Sequence, residues 1–225
     1  INIFINKNYI SDEVEKVLKH NEEWGKKKLK KERVLVEFVS SNPTGPLHIG
    51  HARGAVLGNI ISNLLSNQGY EVTKEYYVND AGRQINILAL SIMLETFQNN
   101  INKEGLYQGD YIKDLAKKFM AAKLVNEVNN PLEKFSDDPD ERIDQLISHY
   151  KKDSPETWNL IRDFSVNEMI KLIKDDLSRM EILHDEWFYE SSLGSIEKKD
   201  SSVAKALDEI VKSKNTFEKD GAIWF

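Results

Sequence analysis

The chain has 225 residues, 40% apolar and 30% charged, a globular balance with room for one large domain or a domain with a subdomain. Its 31 Lys and Arg against 37 Asp and Glu leave a formal net charge of −6, which argues against a dedicated nucleic-acid wrapper but leaves local basic faces free to meet phosphates. It has no cysteine, which excludes disulfides, thiolate catalysis and Cys-ligated metal sites, and no stretch approaches the roughly 18 uncharged apolar residues of a membrane span.

Ile1, Ile3 and Ile5 alternate as on the buried face of a strand, and Asn6 to Ser11 reads as a turn. Ser11 is the expected cap of a helix with Val14, Val17 and Leu18 on one face. The basic run Lys26, Lys27, Lys28, Lys30, Lys31 and Arg33 reads first as a solvated linker and second as a phosphate contact. Val34-Leu35-Val36-Glu37-Phe38-Val39 is nearly continuous apolar sequence, the mark of a strand buried on both faces of a parallel sheet. Ser40 to Pro46 is a loop. From His48 to Asn67, Val56, Leu57, Ile60, Ile61, Leu64 and Leu65 recur with helical period, and Gly69 lies just past the end. Glu71 to Val78 is a second strand, so this region predicts a right-handed βαβ unit.

Gln84 to Phe97 predicts another helix. From Gln98 to about Arg179 the chain is mainly helical, with candidates at Tyr111–Val128, Glu141–Lys151 and Pro155–Met180. The acidic stretch Asp137 to Glu141 lacks the spacing of a calcium loop and reads as a solvated turn. Strand character returns at Trp187-Phe188-Tyr189. A helix near Ser202–Lys212 and a hairpin over Thr216–Phe225, turning at Asp220-Gly221, follow. The fold class is α/β: a parallel half-sheet, a helical insertion and a return to the sheet. Ile1 is not Met, and Ala222 to Phe225 reads as an unpunctuated strand, so the chain is expected to be a fragment of a longer protein.

Chemistry concentrates in Glu37-Phe38-Val39-Ser40-Ser41-Asn42-Pro43-Thr44-Gly45-Pro46-Leu47-His48-Ile49-Gly50-His51. This loop leaves the carboxyl end of a strand and enters a helix N-terminus, where α/β sheets bind ligands and where anions are favoured. His48 and His51 fall on one face of the first helical turn, and Gly50 permits close backbone approach. Imidazole and backbone N–H groups so placed suit charge developing on a nucleotide phosphate, without a covalent intermediate. A metal site would lack a third ligand, and no protein-bound metal is expected. Glu37 within an apolar strand calls for a cationic partner, either an arginine ligand or an internal Arg or Lys. Asn79, Asp80, Gly82 and Gln84 follow the second strand, where they would line the same crevice or simply cap the next helix, with Asp80 as the cap. His20, His149 and His184 read as surface or packing residues.

His48-Ile49-Gly50-His51 matches the signature tetrapeptide of class I aminoacyl-tRNA synthetases, and the run Val36 to Ala55 resembles bacterial arginyl-tRNA synthetases closely. Glu75-Tyr76-Tyr77-Val78-Asn79-Asp80-Ala81-Gly82-Arg83-Gln84-Ile85 and Trp187-Phe188-Tyr189-Glu190-Ser191-Ser192 are similar to the same enzymes. The resemblance implies the first half of a Rossmann-like nucleotide-binding domain. Residues 1–30 would end a preceding domain and linker, 31–100 would be the half-sheet with the signature, 101–180 the insertion and 181–225 the return. It implies an arginine–tRNA ligase that uses ATP with Mg2+, L-arginine and tRNA(Arg), charges the 2′-OH of the terminal adenosine, and needs tRNA bound for the first step. His48 and His51 would act on the ATP phosphates with Gly50 beneath adenine, and Glu37, Ser40, Ser41, Asn42, His51 and Glu190 would hold arginine. Asp80, Gly82 and Gln84 would belong to an active-site loop. The triphosphate-gripping loop and the anticodon-binding domain have no counterpart in these residues, so the chain alone is expected to be inactive. The parent is expected to be a cytoplasmic monomer. The competing expectations are another adenylyl-transferring enzyme and a non-catalytic paralogue.

Overall fold

The computed structural model describes residues 4–97, 101–122, 128, 135–213, 215–219 and 222–224. Helix α1 (Lys7–His20) starts earlier than the sequence suggests. Asn6, not Ser11, caps it, accepting a hydrogen bond from Asn8 N at 3.0 Å, and the expected turn is the helix's first turn. Val14, Val17 and Leu18 share a side of α1, but that side is exposed. The strand expected over Ile1–Ile5 lies partly outside the described residues, and Phe4 and Ile5 are in no strand.

Strand β1 (Arg33–Glu37), helix α2 (Ile49–Asn67) and strand β2 (Glu71–Val78) form the expected parallel unit, with Arg33 opposite Glu71 and Glu37 opposite Glu75. Strand β3 (Glu186–Tyr189) adds in parallel to β2, from Glu75 opposite Glu186 to Val78 opposite Tyr189. The sheet order is β1-β2-β3. Gly69 closes α2 with φ +89, and a Cβ there would sit 2.1 Å from Lys28 O. The basic run accordingly packs along this turn, with Lys27 N on Asn67 O and Lys30 N on Gly69 O.

One expectation about burial is corrected by the structure. β1 is not covered on both faces: Val36 and Phe38 join the core beneath α2 and α6, while Leu35 is 56% exposed and Glu37 is exposed. The large aliphatic stripe of α2 also faces outward. Its buried side is Ala55, Gly58 and Ser62, because the helix lies so close to β1 that a Cβ on Gly58 would meet Phe38 Cγ at 2.2 Å. Small residues, not large ones, set that distance. Lys74 Nζ fixes the helix over the sheet through Asn59 Oδ1 at 2.8 Å and Asn63 Oδ1 at 3.0 Å.

Helix α3 (Arg83–Thr96) is buried on nearly every side and forms the axis of a second core with α4 (Asp110–Ala121) and α5 (Pro139–Asp153). Of the predicted Tyr111–Val128 helix, residues 123–127 lie outside the described ones. The acidic stretch is not a free turn. Asp138 accepts from Glu141 N to cap α5, and Asp140 and Asp144 each pair with Arg83 at 2.9 Å. Helix α6 (Pro155–Arg179) would be about 37 Å long at the usual rise. It serves both cores, through Trp158, Ile161 and Met169 in one and Val166, Ile170, Ile173 and Leu177 in the other. Helix α7 (Ser202–Lys212) and the antiparallel pair β4 (Phe217–Lys219) and β5 (Ala222–Trp224) follow as expected, the Asp220-Gly221 turn lying outside the described residues. Among the described residues no helix is long and apolar enough to cross a membrane.

Candidate active site

Past Glu37 the chain leaves the sheet in a sharp turn, with Val39 at φ 70 and Ser40 at φ 41. Two non-glycine residues in left-handed conformation are costly and persist only where surroundings over-determine them. Here β2 does so. Ser40 Oγ accepts from Tyr77 N at 3.0 Å. The Tyr76 hydroxyl donates to Ser41 O at 3.0 Å, accepts from Ser41 N at 3.1 Å and lies 2.7 Å from Ser41 Oγ. Farther along, Tyr111 of α4 donates to Thr44 O at 3.1 Å. The side chains of Ser40 and Ser41 thus shape the loop itself. Tyr76→Phe is expected to cost about 1–3 kcal/mol, because it strands the buried Ser41 N–H, and to lower Tm in differential scanning calorimetry by roughly 2–4 °C per kcal/mol. An unchanged Tm would show that the hydroxyl does not anchor the loop.

The loop delivers His48 to the cap of α2. His48 Nδ1 accepts from Gly50 N at 3.1 Å, and His51 Nδ1 accepts from His48 N at 3.3 Å. The two rings stack with centroids 3.7 Å apart. Because each Nδ1 is an acceptor, the hydrogen-bond network assigns the proton of each neutral ring to Nε2, leaving two N–H donors at a helix N-terminus. Burial, and secondarily the His48 ring, hold the His51 pKa below the ordinary imidazole value, favouring its neutral form. Gly50 has a steric role as well: a Cβ would press on His48 Cε1 at 3.0 Å and spoil the cap.

Across the sheet end lies an acidic face. The pairing sets Glu37, Glu75 and Glu186 side by side, and burial, then Glu186 and Glu37, push the Glu75 pKa up. Strand alternation places Tyr77 and Asn79 on this same face. The Tyr77 pKa is raised by burial first, then by the Glu190 carboxylate beside it, then by Asp80 and Glu37. Glu190 and, more weakly, Glu37 therefore both act on one aromatic hydroxyl. Glu37 is exposed rather than buried; its acid neighbours, not desolvation, make a cation welcome there. Tyr77 was not singled out from the sequence, although its alternation with Glu75 and Asn79 carries the signal.

Asn42 Nδ2 donates to Gln84 Oε1 at 2.6 Å, joining the loop to the start of α3. Asn79, with its amide turned, donates to Glu190 Oε2 at 2.9 Å and Ala81 O at 3.1 Å. Asp80 does not cap α3. Gly82 holds that position at φ 85 without a side-chain cap, while Asp80 Oδ1 accepts from Ser191 N at 2.8 Å and Oδ2 from Ser191 Oγ at 2.5 Å. The site therefore joins the carboxyl ends of all three parallel strands. His184 lies in the sheet core against Phe38, Tyr76 and Trp187; His149 faces Asp153 on α5, and His20 accompanies Lys16 on α1.

The family described as tRNA synthetases class I (R), catalytic domain, matches residues 13–219. An arginine–tRNA ligase of Vesicomyosocius okutanii is 37% identical over 238 residues, covering 100% of this chain and 40% of that protein. One of Aquifex aeolicus is 37% identical over 245 residues, covering 100% and 41%. A solved structure assigned as an arginyl-tRNA synthetase, from Campylobacter jejuni, superposes with a TM-score of 0.71 at 32% identity, covering 98% of this chain and 43% of that one. The chain thus spans about 40% of the length of such curated relatives.

Proposed function

Because this chain belongs to the class I tRNA synthetase catalytic-domain family of the arginine type, we propose that it builds part of the site where an arginine–tRNA ligase joins L-arginine to ATP. In that reaction the arginine carboxylate attacks the α-phosphorus, pyrophosphate leaves, and arginyl-adenylate remains. The 2′-OH of the terminal adenosine of tRNA(Arg) then attacks the arginyl carbonyl carbon and AMP departs. The observation that supports this reading most is the stacked His48–His51 pair. Its two Nε2–H donors lie at a helix N-terminus, beside an acidic face at the same strand ends. Those donors would meet the oxygens of the α-phosphate as charge builds in the transition state, and they need no reorganisation to do so.

Glu37 and Glu190, which both act on Tyr77, would receive the guanidinium, a planar fork that two carboxylates match. Asn42 and Ser40 would lie toward the α-amino and carboxylate groups. Mg2+ would arrive with the triphosphate. Phosphate oxygens and water would supply most of its ligands, the usual manner of Mg2+ bound with a nucleotide.

The test is arginine-dependent ATP–pyrophosphate exchange by the protein of the complete reading frame, with tRNA(Arg) present. Glu37→Gln should raise KM for arginine about 10-fold or more, the loss of one charge-assisted hydrogen bond, with KM for ATP within about twofold. Equal rises for both substrates would remove Glu37 from the arginine site.

A further inference from the structure

We propose that Asp80 is a positioning residue that fixes the Glu190 carboxylate for a cationic substrate without touching that substrate, an inference that rests on the arginine reading above. The ladder between β2 and β3 ends at Val78 and Tyr189. Beyond it the two chains must part to open a crevice, yet Glu190 sits in the first residue past the ladder, where backbone freedom would be greatest. The structure holds it from both sides. Tyr189 is in the ladder before it, and Ser191 after it gives its N–H and hydroxyl to the two oxygens of Asp80 at 2.8 and 2.5 Å.

Asp80 is itself fixed. It is 9% exposed, its N–H donates to Val78 O at 2.9 Å, and its carbonyl accepts from Arg162 Nη2 of α6 at 3.2 Å. Both of its carboxylate oxygens are occupied by Ser191. Its neighbour Asn79 grips Glu190 directly at Oε2, and the Tyr77 hydroxyl hydrogen-bonds to the same carboxylate. Two consecutive residues of one strand end therefore hold two consecutive residues of the next, across 111 positions of sequence. A carboxylate held in this way loses little freedom when it binds. A loose one would have to be ordered by the substrate, and affinity would fall accordingly.

The experiment compares Asp80→Ala, Asp80→Asn, Ser191→Ala, Glu190→Ala and the double variant Asp80→Ala/Glu190→Ala in the full-length protein. The assay is arginine-dependent ATP–pyrophosphate exchange with tRNA(Arg), alongside thermal melts. Asp80→Ala should raise KM for arginine about tenfold with KM for ATP within about twofold, matching the loss of one charged hydrogen-bond contact. Asp80→Asn should fall between, since its amide oxygen still accepts from Ser191 N. In the Glu190→Ala background, Asp80→Ala should add nothing, a result that general structural damage would not give.

Equal rises in both KM values, or an undiminished effect of Asp80→Ala without Glu190, would overturn the proposal. If Asp80→Ala does not fold, exposed Ser191 decides: Ser191→Ala should raise KM for arginine with KM for ATP within about twofold, and an unaltered KM would refute the clamp. Should the wild type activate arginine and Glu190→Ala weaken it while the Asp80 and Ser191 variants do not, only this inference fails. A wild type that exchanges without any response to arginine would sink both it and the ligase reading.

Discussion

Replacing His48 with Asn is expected to lower the rate of adenylate formation by about 100-fold or more, while Tm moves by no more than roughly 2 °C. The contrast follows from the two jobs of the ring. Nδ1 caps α2 through Gly50 N, and Asn is among the best residues at that position, with an oxygen able to take the same bond. Nε2 is the atom left for the phosphate, and Asn has nothing at that reach. His48→Ala loses both, so it should add a stability loss of about 1 kcal/mol to the same loss of rate. Rapid-quench measurement of adenylate, with calorimetry of both variants, separates the roles. An Asn variant as fast as wild type would make the histidine a cap and nothing more.

Two glycines of α2 should respond in opposite directions to the same substitution. Alanine is favoured over glycine inside a helix by about 0.5–1 kcal/mol, and at Gly54, where a new Cβ meets nothing within 4 Å, that gain should appear in full. At Gly58 the Cβ would fall 2.2–2.5 Å from three atoms of Phe38, so helix and strand must separate. Overpacking of this kind costs about 1–3 kcal/mol and outweighs the propensity gain. Gly58→Ala should therefore melt several degrees below wild type and Gly54→Ala above it. Phe38 lies two residues before Ser40, so the Gly58 variant should also lose arginine-dependent exchange. If the two variants melt alike, the close approach of α2 to Phe38 does not limit packing at Gly58.

The parallel unit was legible because Gly69 and the break after Val78 bracket β2, and because the loop from Ser40 to His51 combines residue types that few other settings require. Bounds of α7 and β2 follow from the same local signals. What the sequence obscured was distance. An aliphatic stripe at helical spacing shows that α2 is a helix, but which side is buried depends on the small residues Ala55, Gly58 and Ser62, of which Ala55 and Gly58 meet Phe38. The apolar run of β1 suggested cover on both sides, whereas the helices α2 and α6 lie against one.

The site follows the same division. Glu37, His48 and His51 could be picked out by residue type in context and Glu190 only through the family resemblance, and both carboxylates act on Tyr77. Ser41 and Asp80 could not be understood locally, since one is committed to Tyr76 across 35 positions and the other to Ser191 across 111. Nor could α6 be read as a shared spine, because its two apolar sets serve different cores.

The most direct measurement is charging of total tRNA by the protein of the complete reading frame, with each labelled amino acid in turn, for wild type and for the His48→Ala and His51→Ala variants. The account predicts arginine charging alone, lost by about 100-fold or more in both variants. Charging of a different amino acid, or arginine charging that survives both substitutions, would contradict it.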